Sequence, residues 1–337
     1  MRQLACTALL LLVSTAASAR PTTDDTAPAD LSSIYLRAAS HQASPLARLA
    51  LSGMGAMQSQ VAPTSSVTRA QWLQLRDAAL QDGRQDPMVQ ALALQMDQSP
   101  TTPANAAPRA AANRVLQQAI AQNGFFGLVL FSRAENQADP TRVAALLHQA
   151  AQAKTYRSVY GPLLRAVYPT FDGLAWGDVL ARAQIDAQGD EDSAQMLAGA
   201  IAVEFGLPGF GVLHALCKDA VGSVREDCRA LNTRIAAEGE TAFEVAIAMA
   251  LVQHLADTEA DKAHALIARR RLSWQLEQFA SLHPDPHGAE AHAYFRATLQ
   301  QGELAAMRSA LVQAKRPLDP PDGWHAGFEI APATPRR

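Results

Sequence analysis

A recurring helix start constrains this chain more than any other feature of its sequence. Ser44-Pro45, Asp86-Pro87 and Asp139-Pro140 each place a capping side chain directly before a proline, at intervals of 42 and 53 residues. The capping oxygen accepts hydrogen bonds from free backbone N–H groups, and proline at the first helical position loses no hydrogen bond. A short apolar stretch follows each start. The pattern therefore predicts a unit of helix, turn and helix that recurs along the chain.

The composition favours helices throughout. The 337 residues are 48% hydrophobic but only 6% aromatic, and much of the apolar fraction is alanine, the best helix former and a poor core filler. A β-rich fold would need more β-branched and aromatic residues. We therefore predict an all-α fold of stacked αα-hairpins, an irregular α-solenoid or helical-repeat-like array. Capping-box patterns at Thr68 and Thr241 start further helices. Residues 243–255 are apolar almost all round, which predicts an enclosed central helix.

The N-terminus has the pattern of an export signal. Arg2 precedes an apolar run over residues 4–13, and Ala17-Ser18-Ala19 forms a small-residue cleavage site. This order is typical of a secretory signal peptide over residues 1–19. Together with the excess of arginine over lysine, it predicts a bacterial protein of the periplasm, with secretion as the alternative. No later segment offers eighteen uncharged apolar residues, so we expect no membrane insertion.

Proline and small polar residues predict the remaining boundaries. Residues 206–211 (Gly-Leu-Pro-Gly-Phe-Gly) indicate a break between two helices. Trp324 and Phe328, near the C-terminus, are expected to fold back against the last helices. The predicted segments are a disordered N-terminus at 20–29, a helical group at 30–98, a linker at 99–110, a main helical domain at 111–316 and a Pro-rich tail at 317–337.

Two cysteines remain after removal of the signal peptide, Cys217 and Cys228. An even number in an oxidising compartment indicates a disulfide, and Gly222 between them is a plausible corner for an αα-hairpin. The alternative is a redox or metal-binding pair. The ten-residue gap matches neither a C-x-x-C motif nor a compact zinc knuckle. The spacing therefore favours a structural disulfide.

Two clusters of side chains are candidate sites. Five aromatic residues within 21 positions predict a binding surface for a peptide, since tyrosine and tryptophan dominate binding hot spots; the alternative is a core that needs large side chains. A second cluster carries three histidines and two carboxylates, which could surround a divalent metal, although the spacing also fits a solvated, capped turn. The aromatic candidates are Tyr156, Tyr160, Tyr168, Phe171 and Trp176, and the weak metal candidates are His283, Asp285, His287, Glu290 and His292.

Two helix pairs resemble a known repeat family. Residues 131–151 turn at Gln137-Ala138-Asp139-Pro140, and residues 297–314 turn at Gln301-Gly302-Glu303. Paired short helices with a small-residue interface resemble degenerate tetratricopeptide or Sel1-like repeats, without the family's fixed period or its recurring Trp, Gly, Tyr and Pro. The chain also resembles exported bacterial helical proteins of unassigned function. These resemblances imply an architecture and no chemistry.

The expected function is binding rather than catalysis. The chain carries no G-x-S-x-G elbow, P-loop or serine–lysine signature, and its net charge of −3 argues against nucleic acid as a partner. We expect a protein- or peptide-binding or scaffolding module that needs no cofactor, with its oligomeric state open. The alternatives are a metal-dependent periplasmic enzyme that uses residues 283–292, or a periplasmic inhibitor or immunity-type protein.

Overall fold

The structure is a computed structural model, and its described residues form helices and connecting turns. The predicted signal peptide (1–19) and N-terminal segment (20–29) lie outside them. Among the described residues the β-type pairing is limited to an isolated bridge between Asn123 and Thr155. The fold is thus all-α, as predicted. The described residues are 35–36, 38–39, 44–61, 67–97, 102–133, 138–171, 190–207, 209–282 and 289–327.

The chain divides into two compact units between Gly209 and Phe210. This division falls within residues 206–211, where the sequence predicts a break between two helices. Unit 1 contains eight described helices: α1 (Pro45–Val61), α2 (Arg69–Asp82), α3 (Pro87–Met96), α4 (Pro103–Ala119), α5 (Gly124–Phe131), α6 (Pro140–Ala151), α7 (Tyr160–Phe171) and α8 (Asp190–Gly206).

The helix starts form as their capping residues predict. The α3 and α6 helices begin at Pro87 and Pro140, and the carboxylates of Asp86 and Asp139 accept backbone N–H bonds in the first turn. Thr68 forms a complete capping box with Gln71 at the start of α2. Each cap satisfies N–H groups that the helix itself leaves free.

The C-terminal part of the predicted linker at 99–110 is helical. Residues 103–110 belong to α4, which begins at Pro103 and continues through Pro108 to Ala119. The side chain of Asn105 accepts a hydrogen bond of 2.7 Å from the Thr102 N–H group, so the start is capped. Proline fits the first position, and the alanines that follow favour the helix enough to carry it past one interior proline.

The α5 helix forms the centre of unit 1. All eight of its residues, Gly124–Phe131, are buried. A Cβ atom on Gly127 would lie 2.7 Å from the Cβ atom of Ala150 in α6, so only glycine allows these two helices to approach so closely. The α1 helix also contacts α7 and α8, which lie far from it in the sequence. A linear stack of hairpins would not bring these helices together.

Unit 2 is built from shorter-range packing. Each helix from α9 to α12 packs against the next one, and α14 packs against both α13 and α12. Val245, Leu272, Met307 and Leu311 form its buried apolar cluster. Its described helices are α9 (Phe210–Cys217), α10 (Gly222–Glu238), α11 (Ala242–His254), α12 (Glu259–Leu282), α13 (Ala289–Gln301) and α14 (Glu303–Gln313).

The predicted enclosed helix at 243–255 is not enclosed. It forms as Ala242–His254 with the predicted capping box between Thr241 and Glu244, but Phe243 is 44% exposed. Unit 2 covers only one face of this helix. The enclosed helix of the molecule's described part is α5, which is shorter and lies in the other unit.

Candidate functional site

Two of the five residues of the predicted aromatic surface belong to the hydrophobic core instead. Tyr156 and Phe171 are completely buried, so neither ring is available to a partner. Tyr160 and Tyr168 are half-buried on α7, and Trp176 lies outside the described residues. The ring of Tyr156 packs edge-on against Phe125 with 6.2 Å between centroids. The alanine-rich helices use these large side chains to fill the space between them.

The predicted metal cluster falls mostly outside the described part of the chain. His283, Asp285 and His287 belong to the turn at 283–288, which the structure does not describe. Glu290 is exposed in the first turn of α13, and His292 is half-buried. Within the described residues, no three His, Cys, Asp or Glu side chains are grouped so that they could hold a metal ion.

The predicted disulfide joins Cys217 to Cys228 and links the end of α9 to α10. Both residues are fully buried. Gly222 lies between them with φ = 57°, a left-handed conformation that glycine adopts without strain. The disulfide therefore closes an αα-hairpin around a glycine corner.

An open groove lies between α4 and α6. The two helices end at the same place, because Lys154 after α6 donates a backbone hydrogen bond of 3.1 Å to Ala121 after α4. The side chain of Asn123 accepts from the Arg157 N–H group at 2.9 Å and donates to the Arg157 carbonyl at 2.8 Å. These loop contacts tie the C-terminal ends of the two helices together, and both helices pack against α5.

Five of the seven residues that line the groove are polar, and the volume of the groove is about 480 Å³. On the α4 side, Arg114 is followed by lining residues three and four positions later in the helix. On the α6 side, Arg142 is followed by lining residues three, four and seven positions later. These spacings place each set on one helical face. We call it the Arg/Gln groove; its lining is Arg114, Gln117, Gln118, Arg142, Ala145, Leu146 and Gln149.

The cations of the groove are not neutralised by the residues that the structure describes. Arg114 and Arg142 are exposed, and neither guanidinium forms an ion pair or hydrogen bond with another described residue. Residues 102–171 contain seven Lys or Arg and two Asp or Glu, although the whole chain has a net charge of −3. The groove therefore lies in a basic part of an acidic protein. Such a surface attracts carboxylates and other anions.

Neither side of the groove carries a recognisable motif. The pattern Arg114-x-x-Gln117-Gln118 is typical of the solvated face of a helix. Arg142 lies in the first turn after a capped helix start, a position where its presence needs no ligand. The concentration of positive charge over residues 102–171 is the signal in the sequence that could have drawn attention to this region. The pairing of α4 with α6 comes only from the fold.

Unit 2 contains a buried acidic contact. Glu303, the first residue of α14, accepts a hydrogen bond from the Ala242 N–H group at the start of α11. Burial raises the pKa of Glu303 above its ordinary value, and the neighbouring Glu244 carboxylate raises it further, against the opposing effect of the Ala242 bond. Burial also raises the pKa of Tyr294 in α13. The positive end of the helix dipole at Ala242 partly offsets the electrostatic repulsion between the carboxylates of Glu303 and Glu244.

Comparisons with known proteins do not add a function. No protein-family model matches the chain, and neither a curated protein nor a solved structure is found to match it. The residues of the chain itself therefore carry the functional argument.

One stretch, Glu191–Cys217, is long and apolar enough to cross a membrane by length and composition, a test that core helices of soluble proteins also pass. About half of its most apolar window is buried, and the stretch forms two helices, α8 and α9. Glu204 interrupts it, which is why the sequence shows no uncharged run of eighteen residues.

Proposed function

We propose that this chain is an exported, non-enzymatic binding protein that holds an acidic segment of a protein or peptide partner in the Arg/Gln groove. The observation that carries the proposal is the pair of arginines, Arg114 and Arg142, exposed on facing helices of one groove without a carboxylate partner among the described residues. Guanidinium groups bind carboxylates through two parallel hydrogen bonds, which gives both attraction and orientation.

The other lining residues fit an extended peptide. The amides of Gln117, Gln118 and Gln149 can each donate and accept hydrogen bonds, so they match the N–H and C=O groups of a peptide backbone. Leu146 adds an apolar contact. No aromatic side chain lines the groove, whereas single-stranded nucleic acids are generally held by aromatic stacking. A peptide is therefore the better ligand for this chemistry.

The location and architecture belong to the same proposal. The N-terminal pattern at 1–19 supports export to the periplasm, and a disulfide between Cys217 and Cys228 suits an oxidising compartment. The neighbour-to-neighbour packing of α9 to α12 supports a stacked-hairpin arrangement in unit 2. Such helical modules commonly act by presenting a surface to a partner.

The test is a binding titration with a short fluorescent peptide of alternating Asp and Ser, followed by fluorescence anisotropy. We expect the intact protein to bind it, and Arg114→Gln and Arg142→Gln each to weaken binding by about tenfold, the equivalent of about 1.4 kcal/mol. Binding should also weaken as salt rises from low to physiological concentration, because these charges are exposed.

Arg165→Gln is the matched control. Arg165 is exposed on α7 in the same basic region and makes no ion pair with a described residue, so its loss removes the same charge outside the groove. This variant should bind as the wild type does. Equal weakening by all three substitutions, or tighter binding of a single-stranded oligonucleotide than of the acidic peptide, would contradict the proposal.

A further inference from the structure

The C-terminal segment 317–326 lies along one face of α12 in unit 2. The indole Nε1 of Trp274 donates a hydrogen bond of 3.0 Å to the carbonyl oxygen of Pro317. The Nε2 of Gln275 donates another of 3.0 Å to the carbonyl of Leu318. The Nε of Arg271 donates to Asp319 Oδ1 at 2.5 Å. Three side chains on one helical face thus bind two backbone carbonyls and one carboxylate of the segment, which bends at residues 318–319 and turns at residues 321–324.

Aromatic packing extends this contact. The ring of Trp324 stands edge-on to Trp274, with centroids 5.5 Å apart and an interplanar angle of 74°. Ala326, two residues further on, is completely buried. Arg308 in α14 donates to the Oε1 of Gln275 at 3.2 Å, which leaves the Nε2 of the same amide directed at the segment. The face is therefore oriented by a neighbouring helix.

This contact chemistry is suited to proline-containing segments. Proline restricts the backbone to extended conformations and has no N–H group, so its segment is recognised through carbonyl oxygens and ring packing. A tryptophan that donates its indole N–H beside an aromatic wall is the arrangement that docking sites for such segments use. Pro317, Pro320 and Pro321 supply the prolines, and Asp319 supplies a charge for Arg271.

The first part of the segment lies near the surface. Pro317, Asp319 and Pro321 are exposed, and Leu318 and Trp324 are half-buried, whereas Ala326 at the end of the segment is completely buried. The hydrogen bonds from α12 therefore fix the register of residues that remain largely open to solvent. We propose that this face of α12, formed by Arg271, Trp274 and Gln275, is a docking site for acidic, proline-containing segments of partner proteins, and that residues 317–326 occupy it as a competing ligand in the same chain.

The connection explains why the chain's own segment occupies the site. Only residues 314–316 separate α14 from Pro317, and such short tethers give effective concentrations in the millimolar range. A partner must therefore bind the face of α12 tightly enough to displace residues 317–326, or bind while that segment is dissociated. The site is distinct from the Arg/Gln groove, which lies in unit 1, so the two proposals fail independently.

The test uses a fluorescent peptide of residues 316–327 and the full chain. The variant Asp319→Ala/Trp324→Ala removes two contacts of the segment and leaves the face of α12 intact. We expect this released variant to bind the peptide at least about tenfold more tightly than the wild type, because the competing ligand is weakened. Adding Trp274→Phe to the released variant should reduce peptide binding again, because phenylalanine keeps a ring but lacks the N–H donor.

Two control peptides and a truncated chain decide between recognition and simple packing. A second peptide that keeps Pro317, Asp319, Pro320, Pro321 and Trp324 in register, with alanine elsewhere, should bind within a few-fold of the first, and a scrambled peptide should not bind. Far-UV circular dichroism checks that each variant is folded, and a chain ending at Arg316 serves as a second released form. Equal binding by wild-type and both released forms, or equal binding of the scrambled peptide, would overturn the proposal.

Discussion

The two units of this protein stabilise alanine-rich helices in different ways. The largest fully buried side chains among the described residues, including Trp72, Phe125, Phe131 and Tyr156, all lie in unit 1. The aromatic rings of Trp274, Phe279, Tyr294 and Trp324 in unit 2 are only half-buried. Unit 1 thus obtains many of its large apolar contacts from enclosed rings, whereas Phe210 is the one buried ring among the described residues of unit 2.

Unit 2 replaces buried rings with cross-links. It contains the disulfide between Cys217 and Cys228, and Arg225 and Arg229 both pair with Asp257. The C-terminal segment then covers part of α12. The comparison shows that covalent and polar links between helices can supplement a small core of aliphatic side chains. It predicts that substitutions and reductant affect the stability of the two units differently.

Truncation of a buried ring should show the largest difference. Phe131→Ala in unit 1 removes a completely buried side chain and should lower the free energy of unfolding by about 3–5 kcal/mol. Phe279→Ala in unit 2 removes a half-buried ring that packs 4.5 Å from Tyr294, centroid to centroid, and should cost clearly less. Urea denaturation of both variants measures this; equal losses would show that ring burial does not distinguish the units.

Loss of the disulfide should affect unit 2 selectively. The double variant Cys217→Ser/Cys228→Ser opens a link between residues 11 apart in the sequence and should destabilise unit 2 by about 2–4 kcal/mol. Thermal unfolding with and without reductant should move only the transition of unit 2. Free thiols at both positions in the native protein, or a reductant effect on unit 1, would contradict this assignment.

Two glycine substitutions test how tightly unit 1 is packed. A Cβ atom at Gly127 would lie 2.7 Å from Ala150 Cβ and 3.2 Å from the Leu146 carbonyl, so Gly127→Ala should cost about 1–3 kcal/mol. Nothing lies within 4 Å of a Cβ atom at Gly199 in α8, so Gly199→Ala should instead stabilise by about 0.5–1 kcal/mol. Unfolding midpoints of the two variants should shift in opposite directions, and shifts of the same sign would argue against close α5–α6 packing.

The smallest expected effect is the pH dependence of unit 2. Burial raises the pKa of Glu303 above its ordinary value of 4.5, so the folded state binds its proton more readily than the unfolded state does. The stability of unit 2 should therefore fall as pH rises from that ordinary value through the raised pKa. Glu303→Gln keeps an acceptor for the Ala242 N–H group and should remove this slope.

Glu277→Gln is the control for that measurement. Glu277 is exposed on α12 and forms no hydrogen bond or ion pair with another described residue, so its neutralisation should leave the pH dependence of unfolding unchanged. A wild-type slope of the opposite sign, or the same slope in Glu303→Gln, would show that another group controls the acid response.

Local chemistry explains what the sequence could predict. Caps at Asp86, Asp139 and Thr241 act on residues within one turn, so the helix starts could be recognised without knowledge of the fold. The disulfide followed from compartment and spacing. The burial of Tyr156 and the exposure of Phe243 depend on which helices happen to cover them, and residue spacing carries no information about that.

The candidate sites show the same limit. The Arg/Gln groove requires α4 to lie beside α6, and the loop contacts that align them join residues more than thirty positions apart. In the sequence, Arg271 of the docking face belongs to the run Arg269-Arg270-Arg271, a pattern that is typical of a solvated helix face. Its meaning comes from the segment 317–326, which the fold brings back onto it.

Hydrogen–deuterium exchange of the intact protein with and without the acidic peptide tests the central claim most directly. Partner binding in the Arg/Gln groove predicts slower amide exchange confined to α4 around residues 114–118 and to α6 around residues 142–149, with Arg114→Gln reducing the protection at both. Protection that falls elsewhere in the chain, or no protection at a peptide concentration that saturates binding, would contradict the proposed function.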